Sequence, residues 1–206
     1  MQPLLIATNN PGKVRELQAL LGNLDIQLVT PAEIGIVLEV EETGQTYAEN
    51  AALKATAFGQ ASGLLTLADD SGLEVDALEG QPGLHSRRFS PMPGATDADR
   101  RQYLLAKLAS KPRPWTARFR CSIAIREPRQ AQRPMPYIYY AHGTCPGEII
   151  PEERGTNGFG YDPIFHLAEL EKTMAELTME EKNRLSHRAR AIVNSIPILE
   201  KILQAP

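Results

Sequence analysis

Three stretches of this chain place chemically able groups on unusual backbone. Residues 155–163 read GTNGFGYDP. Gly155, Gly158 and Gly160 loosen the main chain around Phe159, whose ring can then offer a face to a flat ligand; a stacked base is worth about 1–3 kcal/mol. Asp162 follows and can accept hydrogen bonds from ring N–H groups. The second stretch is Thr8-Asn9-Asn10-Pro11-Gly12-Lys13. Asn10 suits a helix N-cap and Pro11 the first helical position. The N–H groups and partial positive charge gathered at a helix end attract phosphate, Gly12 allows close approach, and Lys13 adds a mobile cation. This is no Walker A loop, because the first glycine is missing and Val14 stands where Ser or Thr is wanted. Alone, it reads more readily as a well-capped helix with a solvent lysine.

The third stretch is Asp69-Asp70, which closes the apolar run Leu-Leu-Thr-Leu-Ala. Adjacent acids there are costly unless they bind something. Successive strand side chains face opposite sides, so one of the two faces any given cleft, and spacing leaves open which. Glu41-Glu42 adds carboxylates that read alone as a solvated turn. A hard cation such as Mg²⁺ takes one or two carboxylates plus phosphate oxygens. Lys182-Asn183-Arg184-Leu185-Ser186-His187-Arg188 is by itself a basic helix face with a capping serine, yet His187 and Arg188 are donors that can meet carbonyl oxygens of a base. A phosphate seat, metal carboxylates, a base platform and base-edge donors together describe a nucleotide site.

Several elements must position these groups. Leu4–Ala7 reads as a short buried strand leading into a helix with Val14, Leu17, Leu20 and Leu21 inward, against Arg15, Glu16 and Gln18. Thr46-x-x-Glu49 is a capping box that opens an alanine-rich helix ending near Gly63. Leu64–Ala68 is a buried strand that stops at Asp69–Gly72, and Leu73–Leu78 is another. Thr96 caps a helix through about Ala109, with Tyr103, Leu104, Leu105 and Leu108 inward. Trp115–Arg126 alternates: odd positions are apolar, while Thr116, Arg118, Arg120, Ser122 and Arg126 fall on the other face of a half-exposed antiparallel strand. Tyr137–Thr144 pairs with it across the proline-rich loop Glu127–Pro136. Thr178-x-x-Glu181 is a further capping box, Ser186 caps a terminal helix, and Pro197 must kink or split that helix.

The 206 residues, 42% hydrophobic, suffice for a core spanning 1–206 as one domain, in one body or two lobes. A net charge of −3 argues against a protein built mainly to grip nucleic acid, despite Arg184, Arg188 and Arg190. No apolar run approaches the roughly 20 residues a membrane span needs, and MQPLLIATNN lacks the features of a signal peptide, so a cytoplasmic protein is expected. Cys121 and Cys145 are too few for a disulfide framework, and Cys121 reads as buried.

ATNNPGK, EETGQTYAENAALKA, LADDSGLEVDALEGQPG, GTNGFGYDPIF and EEKNRLSHRARA occur in the order and spacing of the inosine triphosphate pyrophosphatase family, which the chain resembles over almost its whole length. The resemblance implies an α/β fold, two lobes around a long mixed β-sheet flanked by helices. It implies a Mg²⁺-dependent homodimer that hydrolyses ITP, dITP and XTP to the monophosphate and pyrophosphate, removing deaminated purines from the nucleotide pool. By position, Thr8, Asn9, Asn10, Pro11, Gly12 and Lys13 match the triphosphate loop. Glu42 and Asp70 match metal carboxylates, and Asp70 also the proposed general base. Lys54 and Ser71 match triphosphate contacts; Phe159, Gly160, Tyr161, Asp162, Lys182, His187 and Arg188 match the nucleoside and base pocket. Arg87 stands where the family has a small residue. A pyrophosphatase for modified pyrimidine or methylated nucleotides and a regulator without catalysis are the competing readings; the intact acids and lysines speak against the regulator.

Overall fold

Residues 1–22, 24–129 and 135–204 are described by the computed structural model; residues 130–134 of the proline-rich loop lie outside them. The opening apolar run forms β1 (Gln2–Ile6), and Asn10 ends the following loop by capping α1 (Pro11–Leu21). There follow β2 (Ile26–Val29), α2 (Tyr47–Ser62), β3 (Leu65–Val75), α3 (Asp97–Leu108), β4 (Trp115–Arg126), β5 (Ile138–Ile149), β6 (Phe165–Leu167), β7 (Lys172–Thr173), α4 (Met179–Leu185) and α5 (His187–Leu203). The strands form one seven-stranded sheet in the order β2-β1-β3-β4-β5-β6-β7. β1 lies parallel to β2 and β3, while β5, β6 and β7 pair antiparallel, so the sheet is mixed, as expected.

The chain divides into two compact units. The first comprises Met1–Asp70, Cys121–Gly143 and Arg188–Pro206; the second comprises Ser71–Arg120 and Thr144–His187. In the first unit, strand alternation sorts side chains into two layers. Leu4, Ile6, Leu65, Leu67, Cys121, Ile123 and Ile125 pack with Leu17 and Leu21 of α1 and Ile192 and Leu199 of α5. Leu5, Ala7, Ala68 and Ala124 pack instead with Ala51, Ala55 and Phe58 of α2. In the second unit, Leu73, Val75, Phe119, Tyr161, Phe165 and Met174 form one core with Leu104 and Leu108 of α3.

Four expectations need correction. β3 runs on through Asp69–Gly72 to Val75, because the two acids meet cations rather than turning to solvent. β4 is half-exposed only in its first half; beyond Arg120, helices cover both faces, and Ser122 and Arg126 are buried. Glu16, assigned to the polar face of α1, is buried against Arg188. α5 is not split at Pro197 but runs on as one helix to Leu203. The carbonyl deprived of its partner belongs to Val193, which is exposed, so water can serve it.

Candidate active site

The first unit concentrates charge where β3 meets three helices. Alternation, which left open whether Asp69 or Asp70 faces a given side, now sends them to opposite layers. Asp69 follows Leu65 and Leu67 toward α1 and α5, where its Oδ2 accepts from Lys13 Nζ at 2.9 Å and from Arg188 Nε and Nη2 at 3.1 Å. Arg188 also reaches Glu16. Asp70 follows Ala68 toward α2, where Oδ1 accepts from Lys54 Nζ at 2.9 Å and Oδ2 from Asn50 Nδ2 at 3.3 Å. Lys54 Nζ also donates to Glu42 Oε1 at 2.8 Å. Glu42 arrives there by the same period of two: Ile36, Leu38 and Val40 pack on the α2 layer, and the next residue in step is Glu42.

Burial and charge set the ionisation of these groups. Burial pushes Asp69 up, but Lys13, Arg188 and Lys54 more than reverse this and hold it well below the usual carboxylate range. At Asp70 burial dominates; with Glu42 adding repulsion, its pKa stays above the ordinary value despite Lys54 and Lys13. Burial lowers Lys54, and Asp70, Asp69 and Glu42 together raise it past its ordinary value, so the ammonium is firmly charged. Asp70 is thus the more basic of the two adjacent acids.

The loop from Thr8 to Lys13 is ordered by its own side chains. Thr8 Oγ1 accepts from Asn10 N–H at 3.2 Å, and Asn10 Oδ1 accepts from Gly12 N–H at 2.8 Å and Lys13 N–H at 3.3 Å. The helix-end N–H groups expected to meet phosphate are therefore shared with the cap, and Pro11 has none to give. Lys13, expected as a mobile cation, is anchored on Asp69. Asn9 Nδ2 reaches Leu38 O at 3.4 Å, tying the loop to the segment that carries Glu42.

The second unit organises the glycine turn. Gly155, Gly158 and Gly160 all have positive φ, at 80°, 79° and 64°. Asp162 Oδ2 accepts from Phe159 N–H at 2.9 Å and from Lys182 Nζ at 2.8 Å, and that ammonium stands 5.1 Å from the centroid of the Phe159 ring. Asp162 and Lys182 are buried, and Phe159 is half-buried. A Cβ on Gly158 would lie 2.1 Å from Asp162 Oδ2, so the close approach of turn and carboxylate requires glycine. His187 stacks on Phe119, with ring centroids 4.7 Å apart and planes 17° from parallel. Tyr161 points away from the turn into the core, where its hydroxyl donates to Ser86 O at 2.8 Å and burial pushes its pKa up. Ser71 is half-buried on β3, and Arg87 is exposed.

The expected residues therefore fall into two groups. The first unit assembles Thr8–Lys13, Glu42, Lys54, Asp70 and Arg188; the second holds Ser71, Phe159–Asp162, Lys182 and His187. Arg188, expected beside a base, lies fully buried between Glu16 and Asp69. Sequence reasoning passed over Asn50, although Asn50 and Lys54 stand four apart on one face of α2. It also passed over Asp97 and Arg101 of α3. Asp97 Oδ2 accepts from Gly160 N–H at 2.8 Å, and Arg101 Nη1 donates to Gly160 O at 2.9 Å while gripping the Glu153 carboxylate at 2.8 and 2.9 Å. Nothing local in a capped helix signals a partner 63 positions away.

Among the described residues no three His, Cys, Asp or Glu side chains come together to hold a metal unaided. Glu42 and Asp70, however, converge on one cation, the Lys54 ammonium, through one oxygen each. That all-oxygen pair fits a hard cation such as Mg²⁺, which is satisfied by one or two carboxylates when phosphate oxygens complete its shell. No helix among the described residues is long and apolar enough to cross a membrane.

The Ham1 family model matches residues 4–197. A dITP/XTP pyrophosphatase from Desulforamulus reducens is 47% identical over 200 residues, covering 97% of this chain and 96% of that protein. The solved structure of a HAM1 protein from Coxiella burnetii superposes with a TM-score of 0.84 at 42% identity, covering 98% of this chain and all of that one. A nucleoside-triphosphatase / dITP/XTP pyrophosphatase from Mycobacterium abscessus gives a TM-score of 0.71 at 38% identity, covering 96% of this chain and all of that one.

Proposed function

The chain belongs to the Ham1 family, and we propose that it is a nucleoside-triphosphate pyrophosphatase that hydrolyses ITP, dITP and XTP to the monophosphate and pyrophosphate. The observation that carries this reading is the pair Glu42 and Asp70 converging on one cation position, with Lys13 anchored next door on Asp69. The first unit handles the triphosphate. Glu42 and Asp70 would hold Mg²⁺, which would supply charge neutralisation at the phosphates. Asp70, made more basic by burial, takes a proton from the water whose oxygen attacks the α-phosphorus. The new P–O bond forms as the bond to pyrophosphate breaks, and Lys13 and Lys54 stabilise charge on the oxygens.

The second unit reads the base. The Phe159 ring is the stacking platform, and Lys182 and Asp162 fix its orientation. Donors such as Lys182 and His187 suit a 6-oxo purine. Adenine would set its amino group against a donor, a mispairing that discriminates strongly in a buried site. Rejection of guanine requires a separate block at C2. Homodimer formation and a place in the cytoplasm among the free nucleotides belong to the same reading.

Product analysis with ITP, XTP, GTP and ATP, each with and without Mg²⁺, tests it. Pyrophosphate and monophosphate from ITP and XTP, Mg²⁺-dependent and with little from GTP or ATP, is the expected result. Release of single phosphates, or equal turnover of all four, overturns it. Light scattering on the purified chain reads the dimer.

A further inference from the structure

Lys54 stands in a position that the reading above needs for something else. Its ammonium lies 2.8 Å from Glu42 Oε1 and 2.9 Å from Asp70 Oδ1, the two carboxylates assigned to Mg²⁺. The side chain is largely enclosed, at 13% exposure. A divalent ion seated on those same oxygens would meet the ammonium at close range, and like charges at a few ångströms repel strongly in a partly buried setting. The charge balance points the same way. Glu16, Glu42, Asp69 and Asp70 face Lys13, Lys54 and Arg188, one net negative charge among these groups. A divalent ion alone would reverse that sign, whereas a triphosphate brings more negative charge than the metal cancels and gives Lys54 a new partner.

We propose that Lys54 is the placeholder cation of the metal position. It keeps Glu42 and Asp70 together in the nucleotide-free protein, excludes the divalent ion, and moves to the phosphates when the nucleotide arrives, so that metal enters with substrate. Asn50, bonded to Asp70 Oδ2 and to Gly44 N–H at 2.8 Å, holds the frame in which this exchange occurs. The inference rests on the assignment of Glu42 and Asp70 to the metal.

The test is Mn²⁺ binding without nucleotide, read by the electron paramagnetic resonance signal of free Mn²⁺. Wild type, Lys54→Met and Lys54→Gln are compared, the glutamine variant keeping neutral donors between the carboxylates should methionine impair folding. Both variants should bind Mn²⁺ at least about tenfold more tightly than wild type, equivalent to about 1.4 kcal/mol. Adding Glu42→Gln to Lys54→Gln should abolish the gain. Equal or weaker binding by the folded variants, or a gain that survives Glu42→Gln, overturns the placeholder. ITP turnover by the same wild-type preparation separates the two ideas: turnover with unchanged Mn²⁺ affinities removes the placeholder alone, and absent turnover removes the functional reading.

Discussion

Replacing Arg188 by methionine exposes how the first unit holds its acids. The Arg188 side chain is 1% exposed and that of Asp69 not at all, and the guanidinium serves both Asp69 and Glu16. Methionine keeps much of the volume but takes the guanidinium away from two buried carboxylates. Removing one partner of a buried pair costs about 3–5 kcal/mol. At about 2–4 °C per kcal/mol for a chain of this size, Tm should fall by roughly 6–20 °C. Glu16→Gln in the Arg188→Met background restores the charge balance and should recover about 0.5–3 kcal/mol, the usual range for coupled neighbours. The pH dependence has a definite sign. Asp69 is depressed in the folded protein, so its contribution is present above its unfolded pKa and is lost as pH falls through the folded value. Arg188→Met removes part of that depression; the gap to wild type is therefore full near neutral pH and narrows in acid. Urea titration followed by circular dichroism at about pH 7 and about pH 2 reads both quantities. A loss below about 1 kcal/mol for Arg188→Met, or a double variant less stable than the single one, would refute the reasoning.

Three further outcomes follow from the geometry. Gly160→Ala meets no heavy atom within 4 Å and should cost only the strain of positive φ, about 1–2 kcal/mol, with ITP binding kept. Gly158→Ala drives its Cβ into Asp162 and crowds Lys182 and should abolish binding in the same calorimetric titration; equal effects at the two sites would show that the turn is not read through Asp162. Arg101→Met frees the Gly160 carbonyl and should raise KM for ITP about tenfold or more, given about 1.5–3 kcal/mol for a charged hydrogen bond, while inhibition by inorganic tripolyphosphate stays unchanged. A parallel loss of tripolyphosphate affinity would assign Arg101 a merely structural role. Burial pushes the Cys121 thiol up to about 12, so Ellman's reagent should leave it unmodified in the folded protein near neutral pH and label it after unfolding; rapid native labelling contradicts the buried position.

The sequence carried the elements whose signals are local. Asn10 caps α1, the boxes at Thr96 and Thr178 open α3 and α4, and β4 spans Trp115–Arg126 as its alternation foretold. The local signals failed where the deciding partner is distant. The run Asp69–Gly72 looks like the end of a strand because nothing near it in sequence neutralises two acids. One neutralising group, Arg188, is 119 positions away from Asp69, and Glu16 is 172 positions from Arg188. The same distance misled the reading of Glu16 as a surface residue.

What the sequence did contain was a cost without its compensation: adjacent acids in an apolar strand demand cations, and the chain offered several candidates. Alternation then limits the solutions. Asp69 and Asp70 face opposite layers, so each makes its direct ion pairs with a different set of cations, although Lys13 and Lys54 are felt at both. The α1 and α5 layer supplies Lys13 and Arg188 to Asp69; the α2 layer supplies Lys54 to Asp70. The stronger set depresses Asp69, while burial prevails at Asp70 and leaves it the better proton acceptor. The division of labour between two neighbouring aspartates thus follows from the pleat of one strand and from which helix covers each face.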